Sequence, residues 1–257
     1  MEFAYLSSTV SIKTVSEDAK RGVFEIEGLY SGYGLTIGNA LRRTLLSSLP
    51  GAAVTQIKIK NAPHEFSTLP GLKEDLVELS LNFKKLRFRM HTDEPQVLAL
   101  HAKGEKVVSG ADIKTTSDAE LVNPEEVLAT LTSKDAELDV EIKVERGLGY
   151  SPVEARKEGR LTIGTIAIDA LFTPVRKVNF VVEDMRVGER TDYNRLRVEI
   201  ETDGTISPSS ALHKSANILK DHSDKISAVA VQEFEAAKPA AAEEAPKKKG
   251  RPKKQET

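Results

Sequence analysis

The stretch GYGLTIGNALRRTLLSSLPG, residues 32–51, sets four glycines around a run of leucines and two adjacent arginines. If those glycines cradle a phosphate, the chain opens on a nucleotide-binding turn; if they only bend the backbone, the fold must be read from the flanks. A dinucleotide fingerprint needs glycines spaced GxGxxG. Gly32 and Gly34 fit, but Ile37 stands at the third position and Gly38 comes one residue late. A P-loop needs Gly-Lys-Ser/Thr at the helix entry, where the lysine meets the outer phosphates, and none follows Gly38. The stretch is expected to be a turn running into a helix.

Outward from it, period-two alternation recurs. QIKIKN sets Ile57 and Ile59 against Gln56, Lys58 and Lys60, LRFRMH sets Leu86, Phe88 and Met90 against Arg87, Arg89 and His91, and LDVEIKVE sets Leu138, Val140, Ile142 and Val144 against four charges. These patterns predict half-buried strands, and LTIGTIAI, KVNFVVE and RLRVEIET add three more before a turn at TDGT, 202–205. Helices are expected at about 36–49, 72–85 and 208–234. Strands outnumber helices without a βαβ rhythm, so the predicted class is α+β.

Each of the first two helices has two apolar faces. In the first, Ile37, Leu41, Leu45 and Leu49 form a core stripe, while Asn39, Arg43, Leu46 and Pro50 line the far side. In the second, Leu72, Leu76, Leu79, Phe83 and Leu86 form the core stripe and Val77, Leu81 and Lys84 a second one. Apolar atoms beside a single charge are how partner-binding faces look, because the first supply desolvation and the second register; an exposed leucine beside a solvated arginine is the plainer reading of Arg43 and Leu46. The third helix carries Leu212, Ala216, Leu219, Ser223, Ile226 and Ala230 in a heptad-like seam, which suits a helix of a second protomer as well as the chain's own core.

The chain's 257 residues suffice for two domains. No run approaches eighteen apolar residues, and MEFAYLSSTVSIK lacks the basic-then-apolar order of an export signal, so a soluble cytoplasmic protein with no membrane contact is expected. Zero cysteines exclude disulfides and thiolate metal sites, and His64, His91, His101, His213 and His222 show no metal-ligand spacing. Residues 236–257 hold seven Lys or Arg against three Glu, a charge of +4 that leaves −6 on residues 1–235. This Ala, Glu, Lys and Pro segment is too poor in apolar residues to order itself.

Four stretches, GYGLTIGNALRRTLLSSLPGAAVTQIKI, HEFSTLPGLKEDLVELSLNFKKL, RGLGY and RVGERTDYNRLRVEIETDGTISP, resemble in that order the amino-terminal region of the alpha subunit of bacterial-type RNA polymerase. The resemblance spans nearly all of residues 20–230 and implies a non-catalytic assembly platform inside a nucleotidyltransferase. It implies a discontinuous dimerisation domain at 1–50 and 175–235, an antiparallel sheet with two helices, bracketing an inserted mainly-β domain at 51–174. It further implies a homodimer sealed by the third-helix seam (Leu212, Ala216, Leu219, Ile226), a beta-subunit contact at Arg43 and Leu46, and a beta-prime contact at Lys84, Ile168 and Val175. Omega and sigma would join within the complex, promoter DNA would be met through it, and magnesium and zinc are expected only on the large subunits. Location follows: bacterial cytoplasm and nucleoid, or plastid stroma if organelle-encoded.

The family usually adds a carboxy-terminal DNA- and activator-binding domain, and here about two dozen low-complexity residues stand instead. Among them KKKGRPKK, 247–254, looks like an AT-hook: Gly250 lets the backbone lie near the groove floor, Arg251 and Pro252 complete the core, and Lys249 and Lys253 flank it. A merely solvated basic tail reads the segment equally well. No acidic magnesium loop or nucleophile–base pair can be proposed from spacing, so no catalytic residue is expected. Two further readings belong to other classes. An independent DNA-binding or architectural protein would act through the tail, and a nucleotide-dependent enzyme would use residues 32–38 and show nucleotide affinity.

Overall fold

The computed structural model describes residues 8–156 and 164–229. Within them lie fifteen strands and three helices, α1 (Tyr33–Ser47), α2 (Leu76–Lys85) and α3 (Pro208–Ser227). Strands dominate and the pairings of both larger sheets are antiparallel, so the α+β expectation holds.

The first sheet has the order Ser11–Glu17, Arg21–Leu29, Arg190–Thr202, Val175–Val187, which brings the early and late parts of the chain together. Phe24 faces Val198 and Ile26 faces Leu196 across the central pair. Alternation decides the two faces: Phe24, Ile26, Leu196, Val198 and Ile200 point into a core shared with Leu41, Leu45 and Leu49 of α1 and its flank and with Ala211 and Leu212 of α3. The outer face is charged, and one row crosses all four strands: Lys13 to Glu27 at 2.5 Å, Glu27 to Arg195 at 3.1 Å, Arg195 to Glu183 at 3.6 Å.

A second sheet runs Ile113–Lys114, Gln96–Lys103, Glu137–Leu148, Pro50–Ile59, Phe88–Met90, Ala119–Leu121, with Thr165–Ala167 also pairing to Pro50–Ile59. Helix α2 lays Leu76, Leu79 and Phe83 onto a core that includes Ile57, Leu98, Leu128 and Ile142, all without measurable exposure except Leu98 at 1%. Burying each such side chain contributes about 1.5–3 kcal/mol. This core, drawn from residues 52–168, is separate from the first.

Two arginines join the second sheet to the turn before α3. Arg87 is 8% exposed; its Nη1 donates to the carbonyls of Lys84 and Leu86, both at 2.9 Å, and its Nε lies 3.7 Å from Asp203. Arg89 donates to the carbonyls of Thr205 at 3.1 Å and Gly204 at 3.3 Å. Alternation placed Arg87 on a solvated face, and the turn at 202–205 covers it instead.

Helix limits differ from the periodicity in three places. Helix α1 starts at Tyr33 and stops at Ser47, because the ring of Pro50 disfavours a helical conformation at Leu49. Helix α2 starts only at Leu76, where the Asp75 carboxylate accepts from the Glu78 N–H at 2.6 Å; Leu72 lies outside it and bridges to Leu131. Helix α3 ends at Ser227, short of the expected 234, and residues 230–234 lie outside the described residues.

Candidate functional site

The glycines of residues 32–38 are accounted for by packing and capping. Gly32 precedes α1 at φ 84°, a left-handed conformation that favours glycine. A Cβ at Gly38 would stand 2.7 Å from Cδ2 of Phe180 and 3.0 Å from Cδ1 of Leu196, so the helix lies directly against the sheet there. The N–H groups of Gly32 and Gly34 donate to Oδ1 of Asn194 at 2.9 and 3.4 Å, and Asn194 Nδ2 donates to Asp184 at 3.1 Å. A side chain from the neighbouring strand thus occupies the donors a phosphate would use.

Helix α1 buries Leu41, Leu45 and the following Leu49, with Ile37 partly buried, as its core stripe. On the far side Asn39, Arg43 and Pro50 are exposed, and no ion pair of Arg43 occurs among the described residues. Leu46 is half-buried and packs against the chain's own core.

Helix α2 presents its second stripe as the sequence indicates: Val77 and Leu81 are exposed and Lys84 is half-buried. Lys84 is held from two sides, with Nζ 3.5 Å from Asp169 Oδ2 and 5.9 Å from the centroid of the Tyr150 ring. Asp169 also accepts the Val153 N–H at 3.0 Å. The Val153 hydrogen bond is the largest influence holding its carboxyl below the ordinary range, and the Tyr150 and Lys84 contacts act in the same direction. Sequence reading missed Asp169 and Tyr150, since neither lies on a periodic stripe; the adjacency of Asp169 to Ile168 was the available signal.

Ile168 and Val175 do not present side chains to solvent. Ile168 is 5% exposed in the core of the second sheet, and Val175 is 1% exposed in the core of the first. Both side chains pack within the chain's own cores. Asp169 links Lys84 to the backbone next to Ile168, whereas Val175 belongs to the other core.

Along α3 the seam divides. Leu212 is 8% exposed and packs in the chain's own core. Ala216 is exposed, Leu219 is partly buried against that core, and Ile226 is 73% exposed. Every described residue after Leu219 is exposed, so the last two turns extend past the sheet.

One cluster was invisible in the sequence. His101, Glu137 and Asp139 bring potential ligand atoms within 4.8 Å of one another, because the strands Gln96–Lys103 and Glu137–Leu148 pair. Lys60 stands 3.1 Å from Asp139 and 3.7 Å from Glu137, so a cation of the chain already answers their charge. Among the described residues no helix is long and apolar enough to cross a membrane. The tail residues Lys249, Gly250, Arg251, Pro252 and Lys253 lie outside the described residues.

Comparison with known proteins gives this geometry a context. Residues 57–173 match the family model described as the RNA polymerase Rpb3/RpoA insert domain. The chain is 50% identical over 213 residues to DNA-directed RNA polymerase subunit alpha of Symbiobacterium thermophilum, covering 82% of this chain and 67% of that one. It is 50% identical over 215 residues to the protein of the same name from Roseiflexus sp. (84% and 66%), and 49% identical over 205 residues to that of Moorella thermoacetica (80% and 65%). The chain spans about two thirds of the length of these relatives.

Proposed function

The chain belongs to the alpha-subunit family of DNA-directed RNA polymerase, and from that membership we propose that it is a non-catalytic assembly subunit of the enzyme, homodimeric, recruiting the beta and beta-prime subunits for transcription in the cytoplasm. The residues 1–50 with 175–235 form the dimerising unit in this reading, and 51–174 the inserted one. The observation that carries it is the outer face of α1: an arginine exposed and free of ion pairs among the described residues beside a half-buried leucine, on a helix whose core stripe is already satisfied. Arginine next to apolar surface is the composition of an interface anchor, since its guanidinium can donate several hydrogen bonds once water is excluded.

Arg43 and Leu46 engage beta in this proposal, and Lys84 engages beta-prime, with Ile168 and Val175 supporting the surface from the two cores. The exposed part of α3, with Ala216, Leu219 and Ile226, meets the second protomer. Omega and sigma enter with the large subunits, which would also hold the magnesium and zinc. Arg43→Ala tests the reading. It should leave a dimer of normal size and melting temperature and weaken uptake of beta by about thirtyfold or more, the loss of roughly 2 kcal/mol at an anchor residue. Size-exclusion chromatography with and without beta decides, and normal uptake removes Arg43 from the interface.

The motif KKKGRPKK favours a second, separable activity of the same chain. Its lysines meet phosphates and Arg251 enters an A·T-rich minor groove, which would give the polymerase an upstream DNA contact.

A further inference from the structure

Lysine side chains lose rotamer freedom when a partner orders them, so a lysine already held in the free protein binds with less loss. Lys84 is such a residue: Asp169 sits at 3.5 Å on one side and the Tyr150 ring at 5.9 Å on another. Asp169 is itself fixed, accepting from the Val153 N–H at 3.0 Å. The segment carrying Tyr150 and Val153 is tied down independently, by backbone pairing of Tyr150 with Leu171 and Ser151 with Ala170 and by Arg156, which donates to the carbonyls of Thr55 and Ile168. An ammonium has three donors, and one contact to a partly exposed carboxylate leaves others for an incoming acceptor. Val77 and Leu81 of the same stripe are exposed beside it.

We propose that Asp169 is a positioning residue: with Tyr150 it holds the Lys84 ammonium in the orientation in which the second large subunit meets it. That subunit would bring a carboxylate or backbone carbonyl flanked by apolar side chains. The inference rests on the reading of Lys84 as a beta-prime contact, and Asp169 acts through Lys84 without itself being required to touch the partner.

The test uses the full-length dimer loaded with beta, titrated with beta-prime, in a double-mutant cycle of Lys84→Ala and Asp169→Asn. Asparagine keeps an oxygen for the Val153 N–H and replaces the charged oxygen that faces Lys84 by an amide donor. Asp169→Asn should weaken beta-prime binding about three- to tenfold with beta binding unchanged. It should have no further effect in the Lys84→Ala background, and Asp169→Glu should restore binding to within about twofold. An Asp169→Asn effect that persists undiminished in the Lys84→Ala background, or no effect in the native background while Lys84→Ala does weaken binding, overturns the positioning role and leaves Lys84 as a contact. If Lys84→Ala alone changes nothing, the beta-prime reading of Lys84 fails, and the positioning role with it. If Asp169→Asn does not fold, Tyr150→Phe, which lacks only the hydroxyl that helps hold the Asp169 carboxyl in its charged form, must weaken binding in the same direction; unchanged binding overturns the role.

Discussion

Gly38 and Asp139 show how far a single side chain depends on what faces it. At Gly38 the requirement is space: a methyl group would press on the Phe180 ring and on Leu196, both on strands of the first sheet. Gly38→Ala should therefore destabilise the chain by about 1–3 kcal/mol despite the better helix propensity of alanine, because overpacking outweighs a gain of about 1 kcal/mol. Urea unfolding of the dimer measures it, and unchanged or raised stability would show that the helix can shift outward. At Asp139 the requirement is charge. Its carboxyl is held below the ordinary value of 3.8, first by the hydrogen bond with His101 and then by Lys60. A carboxyl whose folded pKa is depressed contributes stability that is complete above the unfolded value and lost as pH falls through the folded one. The Asp139→Asn protein should thus lose less stability than wild type between neutral pH and about pH 3, as read by melting temperature against pH. Parallel curves would mean that Asp139 has no such linkage.

The helices leave one side outside the cores they build. In α1 and α2 the core stripe and the second stripe are distinct, so a partner face can change without disturbing the sheet beneath. Helix α3 divides along its length: Ala211, Leu212 and Ser215 are buried, and beyond Leu219 all described positions are exposed. The end of the helix carries Ile226 and Val229 at 73% and 70% exposure, where the proposed second protomer would cover them. Ile226→Asp is expected to leave the unfolding of the isolated chain unchanged and to convert the dimer to monomer at micromolar concentration, since the charge would be buried unpaired in the seam. Multi-angle light scattering separates the outcomes, and a mutant still dimeric would move the interface elsewhere.

For the molecule as a whole, Arg87 and Arg89 tie the second sheet to the turn at 202–205, from which α3 departs, the first through a buried ion pair with Asp203 at 3.7 Å and the second through exposed hydrogen bonds to the carbonyls of Gly204 and Thr205. Burial pushes the Arg87 guanidinium below its ordinary pKa, yet Asp203 and two carbonyls keep it partnered. The tail carries the second proposed activity. If KKKGRPKK reads A·T-rich DNA, Arg251→Ala should abolish preference for A·T-rich over G·C-rich duplex while retaining most non-specific binding, and the wild-type log–log salt slope should not exceed about 5 in magnitude for its six basic residues. Fluorescence anisotropy on the two duplexes at several salt concentrations measures both. Equal binding before mutation makes the segment a polybasic tether.

Much of this protein was legible from periodicity. Residues such as Ile57, Ile59, Leu138, Val140, Ile142 and Val144 alternate with charges, and period two is enough to say which side of a strand is buried. The second stripes of α1 and α2 were legible for the same reason, since helix geometry is local. Three things waited for the tertiary structure. The capping of α1 by Asn194 joins residues about 160 positions apart. The burial of Ile168, Val175 and Leu212 depends on which sheet covers each. The Asp169 hold on Lys84 depends on the Tyr150 segment folding back beside α2. Each is a contact between distant parts of the chain, and neither periodicity nor spacing carries information about which distant element arrives. The sequence determined the elements, their inward faces and the family; the packing of one element on another decided which of the exposed residues are left to meet a partner.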